Sequence, residues 1–334
     1  MPSTAGRVTA SKPDRGPSVW LSGNEIQPGR KRMLEIPFAR LPTGTRMSLP
    51  VTVVNGYGDG PQIWLSSTVH GDELNGIEII RRVMRAIDPR TLAGSVIAIP
   101  ILNVFGFISE SRYLPDRRDL NRAFPGSPRG SLAARLAHFF MEEIAGKCGY
   151  GIDFHTGSDD RTNLPQIRTD LTDPETRRCA EAFAAPILIH SRVRDGSMRE
   201  AATARGVHVL LFEGGEALRF DDDSIAVGVA GTLRVMAALG MREPDPGDEP
   251  SAALESESTV WVRARRSGIV RLNVHLGERV RARQALGVIA DAFGEDEVVV
   301  RAPVTGVVIG MTRNPLASQG EGLVHVAQVA DQAE

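Results

Sequence analysis

The sequence predicts an α/β fold, a sheet with helices on both faces, followed by a small all-β barrel or sandwich. Two observations predict it. From about residue 33 to residue 239, β-like runs alternate with segments of helical periodicity. Beyond about residue 258, only short β-like runs punctuated by glycine remain, and they contain a pseudo-repeat. Val262-Arg263-Ala264 leads through Gly268 to Ile269-Val270; Val300-Arg301-Ala302 leads through Gly306 to Val307-Val308.

Taken in order, Met33 to Gly56 alternates and carries Val and Ile, as strands do. Gln62 to His70 reads as a buried strand. Glu73 to Ile87 then places Leu74, Ile77, Ile80, Val83/Met84 and Ile87 at helical spacing. Ser95 to Leu102 is a strand, and Arg112 to Pro128, rich in Arg, Asp and Pro, a loop. Leu132, Leu136, Phe139/Phe140 and Ile144 mark a helix, and Tyr150 to His155 a short strand. Pro174 to Ala185 is helical, Ile187 to His190 and Val207 to Glu213 are strands, and Ser224 to Leu239 closes the region as a helix. Residues 1–30 read as a flexible tail, 31–242 as the α/β domain, 243–257 as a Pro/Asp/Glu/Gly/Ser linker, and 258–334 as the β domain.

Composition sets the class. A chain of 334 residues with 42% apolar and 24% charged residues can bury a substantial core. A net charge of −2 gives no reason to expect nucleic acid or an anionic membrane as partner. No run is long and apolar enough for a bilayer, and the first twenty residues lack the apolar stretch of a signal peptide. Cys148 and Cys179 have no metal-ligand spacing and read as thiols in a reducing compartment. The expectation is a cytoplasmic protein; a homo-oligomer is left open.

Chemistry concentrates at strand ends. His70-Gly71-Asp72-Glu73 offers an imidazole and a carboxylate three residues apart, which converge if a helix starts near Asp72. A catalytic zinc needs three protein ligands, and two histidines with one glutamate is a known set. Of the seven histidines, His155 stands out in Asp153-Phe154-His155, where alternation puts Asp153 on its side as an orienting carboxylate. Each motif alone is equally compatible with an ordinary strand end or helix start.

Together, His70-Gly71-Asp72-Glu73, Asp119-Leu120-Asn121-Arg122, Asp153-Phe154-His155 and Glu213-Gly214-Gly215 occur in that order. Over roughly residues 60 to 240 the chain resembles the succinylglutamate desuccinylase/aspartoacylase family. The resemblance implies a zinc-carboxypeptidase-like three-layer α/β/α domain with a mixed sheet. It implies one zinc held by His70, Glu73 and His155, with water completing the set and acidified toward neutrality. It also implies that Glu213 is the proton acceptor and donor, with Glu216 as its rival. Arg112 matches an oxyanion-facing arginine, with Arg117 and Arg118 as alternatives. Asn121 and Arg122 match residues that hold a substrate carboxylate; Arg168 is a candidate to contact the rest of the substrate, with a surface arginine as the alternative reading.

The β region also resembles biotinyl and lipoyl carrier domains. It contains no lysine, so it cannot carry a cofactor on a swinging arm. The resemblance to the desuccinylase/aspartoacylase family implies instead that it narrows the mouth of the site; a stability or dimerisation role is the alternative. The expected activity is zinc-dependent hydrolysis of the amide of a small N-acyl amino acid. The alternatives are a metallocarboxypeptidase acting on short peptides and a non-catalytic zinc scaffold.

Overall fold

The computed structural model describes residues 15–40, 43–192, 194–248 and 250–329. The strands β1 (Val19–Leu21) and β2 (Asn24–Ile26) form a hairpin. Residues 15–29 were expected to be tail; instead Val19, Leu21 and Ile26 are buried in the core. Three apolar side chains at hairpin spacing are enough to dock a polar, Gly-containing segment that periodicity alone does not reveal. Residues 1–14 and 330–334 lie outside the described part.

The chain continues through β3 (Arg30–Arg40), β4 (Arg46–Asn55), β5 (Gly58–Ser67), α1 (Asn75–Ala86), β6 (Ala93–Ile99) and α2 (Val104–Ile108). Then come α3 (Leu132–Glu143), β7 (Tyr150–Gly157), β8 (Arg161–Thr169), α4 (Pro174–Phe183), β9 (Ile187–His190), α5 (Met198–Thr203), β10 (His208–Glu216) and α6 (Asp222–Ala238). Helix starts follow local chemistry. Ser131, Asp173, Ser197 and Asp221 each accept a backbone N–H three residues on, and Pro174 occupies the first turn of α4.

The sheet is mixed. β6, β5, β7 and β10 run parallel in that order; β4 and β8 join antiparallel on either side. Alternation along each strand feeds two cores. Val53, Trp64 and Ile97 pack under α3, whereas Val54, Ile63, Leu65 and Val96 pack under α1, α4 and α6. Helices therefore cover both faces. Gly151 on β7 makes room for Trp64, since a Cβ there would fall 2.0 Å from its ring.

The strand β8 was not expected from the sequence. Pro165 and polar residues interrupt its pattern, yet it pairs with three neighbours. The short helices α2 and α5 were likewise missed, because each is too brief to show a period.

The last part holds β11 (Leu254–Ser256), β12 (Ser258–Arg263), β13 (Gly268–Leu272), β14 (Arg279–Val280), β15 (Ala285–Ala290), β16 (Val298–Arg301), β17 (Gly306–Thr312), β18 (Leu316–Ala317) and β19 (Gly322–Gln328). β11 lies within the segment expected as linker and pairs parallel with β9. The two repeat units cross between two sheets in opposite directions. The first passes from β12 in the large sheet to β13 in a four-stranded sheet; the second passes from β16 back to β17. The β region is not set apart as a free-standing body: β17 pairs with β8, so β12, β19 and β17 extend the main sheet. Val308 faces the β core, while Val307 and Ile309 pack on Ile187 and Ile189 of β9.

Candidate metal centre and pocket

Parallel strands in an open α/β sheet gather functional groups at their carboxyl ends. Here those ends are β5, β7 and β10. His70 and Glu73 follow β5, His155 lies near the end of β7, and Glu213 sits beside His155 in register on β10. His70 and Glu73 meet through a turn rather than on a helix. The Glu73 N–H donates to the His70 carbonyl at 3.2 Å, and α1 begins only at Asn75. A single turn gives the i,i+3 proximity expected of a helical start, so the convergence holds although its cause differs.

The Glu73 carboxylate lies between the two imidazoles. Its Oε1 is 2.7 Å from His70 Nδ1 and its Oε2 is 2.8 Å from His155 Nδ1. All three side chains are buried. Burial disfavours charge here, but the facing ions and hydrogen bonds outweigh it. Glu73 is held far below the carboxylate range, and both histidines titrate above their ordinary value. Each of those short contacts needs a proton on Nδ1. One ligand atom from each of the three residues lies within 4.8 Å of the others, and this is the group among the described residues that could hold a metal.

The surroundings orient these three side chains. Asp153 Oδ2 is 2.7 Å from His155 Nε2, and Ser66 Oγ donates to Asp153 Oδ1 at 2.6 Å. On the other side, Asp119 Oδ1 stands 3.3 Å from His70 Nε2. Arg112 bridges the two acids, with Nη1 3.4 Å from Glu73 and Nη2 3.1 Å from Asp119. The rival arginines are elsewhere. Arg118 pairs with Asp116 at the surface, and Arg117 is exposed. Glu216, the rival to Glu213, faces Arg219 and Arg313 and lines a different cavity.

Beyond His70, Glu73 and His155 a cavity of about 250 Å³ opens, lined by Glu213, Arg112, Asn121, Arg122 and Arg168 among others. Asn121 commits its Oδ1 to the Met198 N–H at 2.9 Å, which ties the loop to the start of α5. Arg122 donates to the Asn121 carbonyl, and neither Arg122 nor Arg168 forms an ion pair among the described residues. Burial holds Arg168 below its usual basicity, with Glu213 opposing that shift. Burial, helped by the Glu73 charge, raises the pKa of Glu213.

Several lining residues carry no readable signal in the sequence. Asn163 lies on the unrecognised β8. Trp261 and His325 come from the β region, where each would pass for a packing residue. They stack in the pocket wall with ring centroids 4.4 Å apart and planes at 10°. Burial, then the charges of Arg168 and Arg194, push His325 down to about 3.

That shift has a sign. The unfolded chain binds a proton at this histidine near pH 6.5, and the folded chain does not, so this group's share of stability falls as pH drops from about 6.5 toward 3. His325→Phe is expected to lose less stability than wild type over that window in urea unfolding, and the wild-type ring should stay neutral by NMR at about pH 5. An imidazole that charges near pH 6.5 would contradict this reading.

With this geometry in place, comparison with known proteins is decisive for the family. The succinylglutamate desuccinylase/aspartoacylase catalytic domain matches residues 59–239. The chain belongs to this family. A relative from Halomonas elongata, N-alpha-acetyl-L-2,4-diaminobutyric acid deacetylase, is 26% identical over 296 residues, covering 85% of this chain and 86% of its own. A succinylglutamate desuccinylase/aspartoacylase structure from Rhodobacter sphaeroides superposes with a TM-score of 0.80 at 27% identity, covering 91% of this chain and 98% of that one. The product-bound ectoine utilization protein EutE (DoeB) from Ruegeria pomeroyi gives 0.82 at 22% identity, covering 95% and 100%. At that identity it bears on the fold alone. Among the described residues, no helix of this family member is long and apolar enough to cross a membrane.

Proposed function

We propose that the protein is a zinc-dependent deacylase that hydrolyses the amide of a small N-acyl amino acid. The single observation that carries this is the His70–Glu73–His155 convergence at the floor of a small polar cavity. The Halomonas relative, named as a deacetylase of an acylated amino acid, supports the reaction class. The helix-covered mixed sheet supports a zinc-carboxypeptidase-like arrangement of layers. The donor set fits zinc: two neutral-capable imidazoles and a carboxylate, each ligand held by an outer partner. When bound, zinc would supply Lewis acidity, acidifying a water and polarising an amide carbonyl.

This chain's own residues supply the rest. Glu213, partly buried and raised in pKa, takes a proton from the attacking water and delivers it to the departing amine. Arg112, fixed by two carboxylates, stands ready for negative charge on the amide oxygen. Arg122 and Arg168 offer guanidiniums without carboxylate partners among the described residues, suited to the carboxylate of the substrate.

The deciding experiment is a hydrolysis panel with zinc-loaded protein. Acetyl and succinyl derivatives of small amino acids should be cleaved, whereas peptides several residues long should not. Cleavage of the peptides alone would replace this reading with a carboxypeptidase. On an N-acyl amino acid that the wild type hydrolyses, Arg122→Ala is expected to raise KM about 10–100-fold, the worth of a charged hydrogen bond. A fall confined to kcat would remove Arg122 from substrate binding.

A further inference from the structure

Glu213 is aimed by irregular backbone. β10 breaks register with β7 between Glu213 and Glu216, and with β8 between Glu213 and Gly215. Such a bulge re-aims a side chain next to a site. Gly215 takes φ +74°, and a Cβ there would fall 2.4 Å from Asn75 Nδ2. Asn75 in turn donates to the Gly214 carbonyl at 3.0 Å. The backbone is thus pinned, but the carboxylate itself has one side-chain hydrogen bond among the described residues. Asn163 Nδ2 donates to Glu213 Oε2 at 2.9 Å.

Asn163 is held from the far side. On β8 it lies in register with Gly215 of β10 and with Gly310 of β17. A Cβ on Gly310 would come within 2.8 Å of Asn163 Oδ1 and 3.4 Å of His325 Cβ. The carboxamide therefore rests against bare backbone of the β region. A methyl group at 310 would push it off the glutamate.

We infer that Asn163 is a positioning residue for Glu213 and that β17 holds it in place through Gly310. The strand that joins the two sheets thereby fixes where the proton carrier points. This rests on Glu213 being the proton carrier. A hydrogen bond donated to one carboxylate oxygen leaves the other free to face water, and it favours the charged, proton-accepting form.

The test has a structural and a kinetic arm. Crystal structures of Asn163→Ala and Gly310→Ala should show the Glu213 carboxylate displaced or spread over several rotamers, with His70, Glu73 and His155 unmoved. On an N-acyl amino acid cleaved by wild type, Asn163→Ala should lower kcat about 10–100-fold with little change in KM, as loss of an outer partner does. The acid limb of its kcat/KM profile should move to higher pH. Asn163→Ala adds no further loss on top of Glu213→Gln if the two act together. Should Gly310→Ala fail to fold, Asn163→Ala and Asn163→Ser carry the test alone. An unmoved Glu213 carboxylate in Asn163→Ala, or wild-type kcat, overturns the inference. Retained turnover in Glu213→Gln would instead sink the proton-carrier reading, and the crystallographic arm tells the two failures apart.

Discussion

His155→Ala is expected to leave a folded chain that no longer keeps a metal ion. Of the proposed ligands, His70 and Glu73 would remain, and both come from one turn. A zinc site closed by three protein ligands loses most of its affinity when the one from a second strand is removed. Elemental analysis should fall from about one zinc per chain to near zero, with hydrolysis lost alongside it. The substitution also strips Asp153 of its imidazole partner in a buried place, leaving Ser66 as its side-chain hydrogen-bond partner among the described residues. Some loss of thermal stability is therefore expected, and His155→Gln, which keeps a polar group opposite Asp153, should recover part of it without recovering the metal. A variant that retains full zinc would show that His155 is not a ligand.

Glu213→Gln is expected to do the opposite: the metal stays and turnover goes. The side chain belongs to β10, and its side-chain hydrogen-bond partner among the described residues is Asn163 rather than His70, Glu73 or His155. Glutamine keeps the size and can still meet Asn163, but it cannot accept a proton. General acid–base catalysis contributes about 10²–10⁴-fold, so kcat should fall by that amount with KM nearly constant. Retained turnover would transfer the role to another group. Glu216 is poorly suited to inherit it, since it is engaged by Arg219 on the wall of a separate cavity.

These two residues also illustrate how much of the site is legible in the sequence. Short motifs with fixed chemistry were readable: a His and a Glu three apart, an Asp two before a His, a Glu at a strand end. Period-2 alternation explains why Asp153 reaches His155, and strand ends explain why His70, His155 and Glu213 share one edge. Ambiguities between neighbours of equal type were not readable. Arg112, Arg117 and Arg118 differ only in where the loop turns, and just one points inward.

What stayed hidden depends on long-range pairing. The strand β8 carries a proline and few apolar residues, because its register is set by β10, β9 and β17 rather than by its own pattern. With β8 unseen, Asn163 had no assigned place. The union of the two parts into one sheet was equally hidden, since it runs through Gly310, a residue that marks only an absence of side chain. Trp261 and His325 reach the pocket for the same reason: the strands that carry them extend the main sheet toward the site. The hairpin of residues 19–26 shows the reverse error, in which polar composition conceals three buried anchors.

The most direct measurement is a crystal structure of the zinc-loaded protein with diffraction data collected on both sides of the zinc absorption edge. One anomalous peak per chain is predicted, bounded by Nδ1 of His70, the Glu73 carboxylate and Nδ1 of His155. Strong zinc density elsewhere, with Glu73 still bonded to both imidazoles, would contradict the account.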